Sequence, residues 1–454
     1  MHGHVEKQLK QLEQELLPAV DVVLRKLTAN EKEMQLLYIG SLCDSAKIQQ
    51  YLVGAFFQIA DQAQYISYLY SIPVRKTFET EDELRGLLLR GNALVGIEGN
   101  LLAFEIKNIQ NPSAMDATVE TTIQGPQTGF SEALSTNINL IRSRYHQASL
   151  RIEPGVVGKV GKQNVAVIYD EELASAEVLA RIQKSLEEAE EDVVQALGQL
   201  ERIITKKKRR LIPTMIVTER PDRVVLNLSQ GKIIILMDGT PFALIAPAIF
   251  YDFMSSMEDM YQPYWVAHFL VTLRYLGLAV SLILPAAYIG ITSYNPEIFR
   301  VQLALSIAGS RVGVPYPSYL EVIFMLLMME LLIEASIRLP KSIGSTATTV
   351  GGLILGQAAT EAALASNIMI VIVSAVAISN FVIPINEMSF SMRVIKYVFL
   401  GVATVGGLVG LIACMMLFLF YLVSLDSFGQ PYLKVFLRDK PVFGKTVAQQ
   451  KAQG

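Results

Sequence analysis

The sequence predicts an α+β cytosolic N-terminal region of two tandem α/β subdomains, followed by an α-helical transmembrane domain of about four spans plus one amphipathic or re-entrant segment. Three observations predict it. Residues 1 to about 265 mix Lys, Arg, Glu and Asp with short apolar runs, whereas 265–425 are almost uniformly apolar. Hydrophobic residues make up 52% of the chain and mean hydropathy is +0.38, both high for a soluble protein. Two stretches, GNALVGIEGNLLAFEI (91–106) and SQGKIIILMDGTPFALIAP (229–247), follow one hairpin plan: Gly, apolar run, acid-Gly turn, apolar run. The expected division is 1–150 and 151–264 for the two subdomains, 265–425 for the membrane part and 426–454 for a cytoplasmic tail.

In chain order, Val5, Leu9, Leu12 and Leu16 recur at helical spacing, which predicts a helix over 5–27. A second helical stretch is expected from Asp44 to Ala60, and a long one from Glu171 to Ile204. The acidic cluster Glu187, Glu188, Glu190, Glu191 and Asp192 in the latter suits a solvated face. PGVVGKVGKQN (154–164) has glycines three apart but no strand-to-helix setting, so it reads as a turn-rich loop and not as a dinucleotide site. The run KKKRR (206–210) suits either a solvated helix end or a contact with phosphate or anionic lipid. A net charge of -3 gives no case for nucleic acid. Two cysteines, Cys43 and Cys414, exclude a disulfide framework. The N-terminus lacks the pattern of a secretory signal, so the first domain is expected on the cytoplasmic side.

The apolar half divides into runs at 268–291, 295–317, 319–339, 343–364, 367–385 and 394–425. A span needs roughly 20 such residues. The last run is longer and is expected to tilt or bend. The run 295–317 is shorter, interrupted by Gly309, Arg311, Gly313, Pro315 and Pro317. Glu321, Glu330 and Glu334 weigh against 319–339, at roughly 2.5–3.5 kcal/mol per charged side chain on insertion scales. Lys434, Arg438, Lys440, Lys445 and Lys451 favour a cytoplasmic C-terminus. With both ends inside the crossings must be even, and four are expected, leaving 319–339 interfacial or facing water.

Enzymatic signatures are missing. The four histidines show no metal-ligand spacing on one element, and no nucleophile elbow, phosphate loop or Cys-x-x-Cys occurs. No catalytic residue, metal or cofactor is expected.

The informative constellation lies in GGLILGQAATEAALAS (351–366). Between Ser342 and Pro384 the one formally charged side chain is Glu361. On a helix Gln357 and Glu361 share a face, with Thr346, Thr349 and Thr360 near the same stripe. Gly352, Gly356 and Ala359 form a small-residue stripe beside it, of the kind that lets helices approach closely. Two readings are open. These groups line a polar pathway in an oligomer, a carboxylate ring favouring cations. Alternatively they bond neighbouring helices, or Glu361 lies at the membrane surface, since Ala365-Ser366-Asn367 resembles a turn. Glu330 and Glu334 form another same-face acidic pair, either salt-bridged, with Arg338 a turn beyond, or a cation relay.

Five stretches carry a resemblance: VETTIQGPQTGFSEALSTNINLIRSRYH (119–146), TERPDRVVLNLSQGKIIILMDGTPFALIAPAIFYDFMSSMEDMY (218–261), SIAGSRVGVPYPSYLE (306–321), RLPKSIGSTATTVGGLILGQAATEA (338–362) and SFGQPYL (427–433). They are similar to the A subunit of GerA-type spore germinant receptors over about residues 20–435, or to its SpoVA-operon homolog, which shares the motifs. The resemblance implies a tandem soluble region before a membrane domain in the inner membrane of bacterial spores. It implies a homo-oligomeric ring, a pentamer, that conducts monovalent cations. It also implies two partners, a transporter-like B subunit that senses the nutrient and a lipoprotein C subunit. On that view the helix holding Thr346, Thr349, Gln357, Thr360 and Glu361 lines the pore. The first sixty residues match the pattern poorly. TERPD and DGTP have structural readings, since Pro221 and Pro241 fix backbone angles and Asp238-Gly239 makes a turn. Arg142 and Arg144 suit either bridges between subunits or plain surface charge.

Overall fold

The computed structural model describes residues 2–17, 19–29, 32–108, 115–205 and 210–433. The basic run at 206–209 and the lysines and arginine of the C-terminal tail lie outside the described residues.

Two five-stranded antiparallel sheets occupy the first 250 residues. In the first, the strands run Val22–Ala29, Lys32–Ile39, Asn92–Ile97, Asn100–Glu105 and Arg75–Lys76 across the sheet. In the second they run Leu150–Val157, Gln163–Asp170, Ile233–Met237, Ala243–Ala246 and Ile216–Thr218. The order is the same in both: a long hairpin, then the acid-Gly hairpin, then a short edge strand that precedes the second hairpin in sequence. Helices recur in step as well. His2–Leu16 and Leu134–Arg142 precede the first hairpins, and Glu81–Leu89 and Pro221–Leu228 precede the second. The duplicated hairpin read in the sequence is therefore one part of a duplicated unit. Both acid-Gly turns need glycine, with φ of 77° at Gly99 and 76° at Gly239. In the first turn Glu98 is also left-handed, at 46°.

Period-two patterning decides what each sheet buries. Met34, Leu36 and Tyr38 face the helices of 45–71, while Leu37 and Ile39 face His2–Leu16 and Glu81–Leu89. Each fully buried Leu, Ile or Phe adds roughly 1.5–3 kcal/mol. In the second sheet Val165, Val167, Ile233 and Ile235 face Ala176–Glu187 and Leu197–Thr205. Ala166, Ile168, Ile234 and Ile245 face the other way, into a core that continues through Phe250 and Phe253 into the apolar helices. Phe130, Leu140, Ile141 and Tyr145 also belong to that second core.

Two helix expectations change. The N-terminal helix stops at Leu16, and Val22–Ala29 is a strand, because pairing with Lys32–Ile39 overrides local helical spacing. The helix expected over 171–204 is two, Ala176–Glu187 and Leu197–Thr205, and part of the acidic cluster occupies the break.

The apolar region holds Tyr264–Tyr294, Val301–Ser310, Ser318–Arg338, Lys341–Glu361, Asn367–Val382 and Asn386–Ser424. Among the described residues two helices are long and apolar enough to cross a membrane, Tyr264–Tyr294 and Asn386–Ser424. The four crossings expected from sequence are not reached by that measure. Ser318–Arg338 carries too much charge and Asn367–Val382 is too short.

The stretch 386–424 is not one rod. Gly407 has φ 59° and ψ -145°, outside the helical region. Beyond it the chain returns: the Phe399 and Phe418 rings meet at 5.8 Å between centroids, and a Cβ on Gly410 would stand 2.9 Å from the Val402 carbonyl oxygen. The result is a helical hairpin with arms 386–406 and 408–424. Its tip sits on the end of Tyr264–Tyr294, where the Tyr294 hydroxyl donates to the carbonyls of Thr404, 2.6 Å, and Val405, 3.2 Å. Its other end returns to the sheets. The Ser427 hydroxyl donates to Thr214 O at 3.0 Å and accepts from Ala248 N at 3.1 Å, and Phe250 N donates to Tyr432 O at 3.0 Å.

Candidate functional site

Lys341–Glu361 is a poor helix by propensity, with glycines at 344, 351, 352 and 356, each roughly 1 kcal/mol less favourable than Ala. Packing against Ser318–Arg338 holds it. A Cβ on Gly344 would lie 3.0 Å from Ser336 O, one on Gly351 3.1 Å from Leu332 Cδ1, and one on Gly352 3.5 Å from Leu332 Cδ2. Gly352 thus already has a neighbour in its own chain, and Ala359 is buried at 2% exposure. Of the three small residues expected between subunits, Gly356 alone has open space over it.

The polar stripe points outward. Thr346, Thr349, Gln357 and Glu361 are exposed. Thr360 is half-buried and its hydroxyl donates to its own helix, to Gln357 O at 2.8 Å and Gly356 O at 3.2 Å. The side chains of Gln357 and Glu361 make no hydrogen bond or ion pair with the described residues. Glu361 is the last residue of its helix, and 362–366 is a turn. A carboxylate there opposes the helix dipole, by roughly 0.3–1 kcal/mol, and no cation of the described chain offsets it.

Nearby carboxylates behave differently, and they take the salt-bridged alternative. Glu330 and Glu334 do not work as a pair. Glu330 turns to the next helices, accepting from Arg393 Nε at 2.8 Å and Lys396 Nζ at 2.9 Å, with Lys396 at 0% exposure. Glu334 pairs with Arg338 at 2.6 Å on the surface. Glu321 is more than a cost to burial. It is fully buried and satisfied by three donors: Ser366 N and Oγ, both at 2.7 Å, and Arg311 Nε at 3.1 Å. The insertion penalty assigned to 319–339 assumed lone charges, whereas Glu321 and Glu330 are paired inside the chain, and a compensated charge costs far less to bury. Sequence reading missed Arg393 and Lys396. Their signal was a three-residue spacing at the start of an apolar run, facing a lone mid-helix carboxylate.

TERPD is structural. Arg220 is buried and donates to Asp222, to Glu120 O and Pro126 O at 3.0 and 3.1 Å, and to Thr122 Oγ1 at 2.9 Å. Glu219 accepts from the backbone of Glu120 at 2.8 Å, and Arg223 donates to the Glu120 carboxylate at 2.7 Å. Together they hold the 117–129 loop on the Pro221–Leu228 helix. Asp238 accepts from Leu134 N at 3.0 Å. Arg142 bridges to Asp21 of the same chain at 2.9 Å, 1% exposed, so it does not reach another subunit. The Asp259–Arg274 pair, 2.8 Å, fixes the first long apolar helix to the sheet region.

These features define a two-part chain, a duplicated α/β region clamped at two points to a bundle of apolar helices. A family model for the Bacillus/Clostridium GerA spore germination protein matches residues 10–450. Spore germination protein KA of Bacillus subtilis (strain 168) is 33% identical over 445 residues, covering 94% of this chain and 80% of that one. Spore germination protein B1 of the same organism is 34% identical over 411 residues, 88% of this chain and 84% of that one. Among solved structures, the N-terminal domain of the A subunit of the Bacillus megaterium spore germinant receptor GerK3 aligns at a TM-score of 0.40 and 26% identity, over 53% of this chain and 94% of that one. The chain belongs to the GerA family of spore germination proteins.

Proposed function

We propose that the chain is a membrane subunit of a spore germination receptor, acting in the inner membrane of the spore. Copies assemble into a ring, a pentamer on the family resemblance. The ring conducts monovalent cations when a nutrient or another germination signal arrives. A transporter-like B subunit and a lipoprotein C subunit are its partners, and the sheet region, 1–264, lies on the cytoplasmic side with the tail 426–454. The observation that carries the reading is the stripe of Thr346, Thr349, Gln357 and Glu361. It is exposed and polar on a helix whose charged residues are Lys341 and Glu361 alone, in a bundle that has neutralised Glu321 and Glu330 with its own cations. Exposed polar groups at that depth suit water and ions.

The Gly407 hairpin changes the count of passes from the four expected. Tyr264–Tyr294 leads away from the sheets and Ser318–Arg338 back, since Ser318 meets Ser293 at 2.5 Å. We read Lys341–Glu361, Asn367–Val382 and the two hairpin arms as continuing the alternation, although Asn367–Val382, at 16 residues, is shorter than the roughly 20 of an ordinary span. Six passes keep both flanking regions on one side.

The test is cation flux through the purified chain in liposomes. Gln357→Ala and Glu361→Gln are expected to alter flux and selectivity without loss of protein; unaltered flux in both removes the stripe from the pathway. One observation favours a second reading, a non-conducting scaffold joining a nutrient sensor to later germination proteins: Glu361 ends its helix instead of sitting within it. That reading expects no flux from the wild type and partner capture that depends on the sheet region.

A further inference from the structure

A cavity of about 520 Å³ lies at the sheet-side end of Tyr264–Tyr294, within the range of about 300–1,000 Å³ for small-molecule sites. Its floor belongs to the sheet region, with Asn227, Gln230 and the Lys232–Asp252 ion pair at 2.7 Å. Its wall is the start of the apolar helix, with His268, Val271 and Tyr275, and Gln430, in the segment that returns to the sheets after Ser424, borders it. The cavity thus touches both clamps between the two halves of the molecule.

Its depth follows from the same helix. Tyr264 and Trp265 are exposed at the first turn, and Phe269, Leu273 and Leu276 are exposed beyond them. Amphipathic aromatics settle at the headgroup level of a bilayer, with plain apolar side chains deeper. The wall of the cavity therefore runs from headgroups into acyl chains. The described charges on its lining are matched, Lys232 by Asp252, Asp259 by Arg274 and Arg223 by Glu120, so none of them favours a simple ion. Hydrogen-bonding capacity remains. His268 Nδ1 lies 2.8 Å from the Tyr264 carbonyl, which only accepts, so Nδ1 carries a proton and Nε2 is left to face a ligand. The Gln230 side-chain amide and the Tyr275 hydroxyl hydrogen-bond to no other described residue. The site offers matched charges and spare acceptors at one end and an apolar wall at the other.

Resting on the reading of Tyr264–Tyr294 as a membrane span, we propose that this cavity holds a phospholipid from the sheet-side leaflet with a zwitterionic, primary-ammonium headgroup. The ammonium faces the acceptors at His268 and Asp252, the phosphate faces Lys232, and the chains leave along Val271. A lipid seated there joins the sheet region to the first span.

Native mass spectrometry of the full chain tests this, after reconstitution in mixed ethanolamine and glycerol phospholipids and transfer to mild detergent. Wild type is expected to retain a phospholipid, ethanolamine over glycerol. Val271→Trp fills the cavity and lowers retention about tenfold or more, as does Ala267→Phe should the first variant misfold. Leu276→Trp, on the exposed face, leaves retention unchanged. Gln230→Ala combined with His268→Ala keeps the space and erases the headgroup preference. No retained lipid in the wild type, equal retention in the filled variants, or a soluble small molecule in place of lipid each overturns the proposal. Fractionation separates the two failures: a chain found in the aqueous fraction defeats the span, and a membrane-bound chain with an empty cavity defeats the lipid.

Discussion

Replacing Gly407 with Ala gives opposite results for a helical hairpin and for a single long helix. At φ 59° and ψ -145° the backbone is in a region that essentially only glycine occupies. Holding an alanine there costs roughly 1–3 kcal/mol. Its Cβ would stand 2.9 Å from Tyr294 Cγ, an overlap worth roughly another 1–3 kcal/mol. The lower entropy of the unfolded Ala chain returns roughly 0.4–1 kcal/mol. The net expectation is a destabilisation of roughly 1–5 kcal/mol. In an unbroken helix the same change would stabilise by roughly 0.5–1 kcal/mol. Gly406 is the internal control, since a Cβ there meets nothing within 4 Å and its φ is not positive. Thermal unfolding of the full chain in detergent compares Gly407→Ala with Gly406→Ala. A second measurement reads the fold directly. Cysteines replacing Phe399 and Phe418, in a chain with Cys43 and Cys414 changed to Ala, are expected to be joined by a short bis-maleimide. In a straight helix, at about 1.5 Å per residue, those positions would lie about 28 Å apart. A stabilised Gly407→Ala together with no cross-link would refute the hairpin, and with it the count of six passes.

Two further outcomes are expected. Removing Glu330 strands the buried Lys396, so Glu330→Gln is expected to destabilise by roughly 3–5 kcal/mol, whereas Glu330→Met with Lys396→Met recovers most of the loss; equal melting of wild type and the single variant would contradict this. Burial pushes the Glu201 carboxyl up to about 7, with the charge of Glu387 adding to it. Its folded value lies above its unfolded one, so its contribution is full below about pH 4.5 and is lost as pH rises through 7. Glu201→Gln is therefore expected to gain roughly 1–3 kcal/mol relative to wild type at pH 8 and little at pH 4, read as Tm against pH; parallel curves for the two proteins would rule it out.

What the sequence determined by itself was local and periodic. The acid-Gly turns at Glu98-Gly99 and Asp238-Gly239 were legible because each hairpin loop needs a left-handed residue, which glycine accepts most readily. The break between a charged half and an apolar half, and family membership through motifs such as TERPD and GQA, were equally plain. That the polar residues of Lys341–Glu361 share one face followed from helical spacing alone, but not that the face points outward. Tertiary structure decided the rest. Val22–Ala29 has helical spacing and becomes a strand because Lys32–Ile39 pairs with it. Glu330 looked like half of an acidic pair until Arg393 and Lys396 met it from another helix. The run to Ser424 looked like one long span, since no local rule says whether a glycine in an apolar helix stays helical or reverses it. Tyr294 and Gly290, more than a hundred residues away, meet the turn at Gly407. Spacing along a chain fixes which face a side chain takes, but the partner that satisfies it is fixed only when distant segments are packed together.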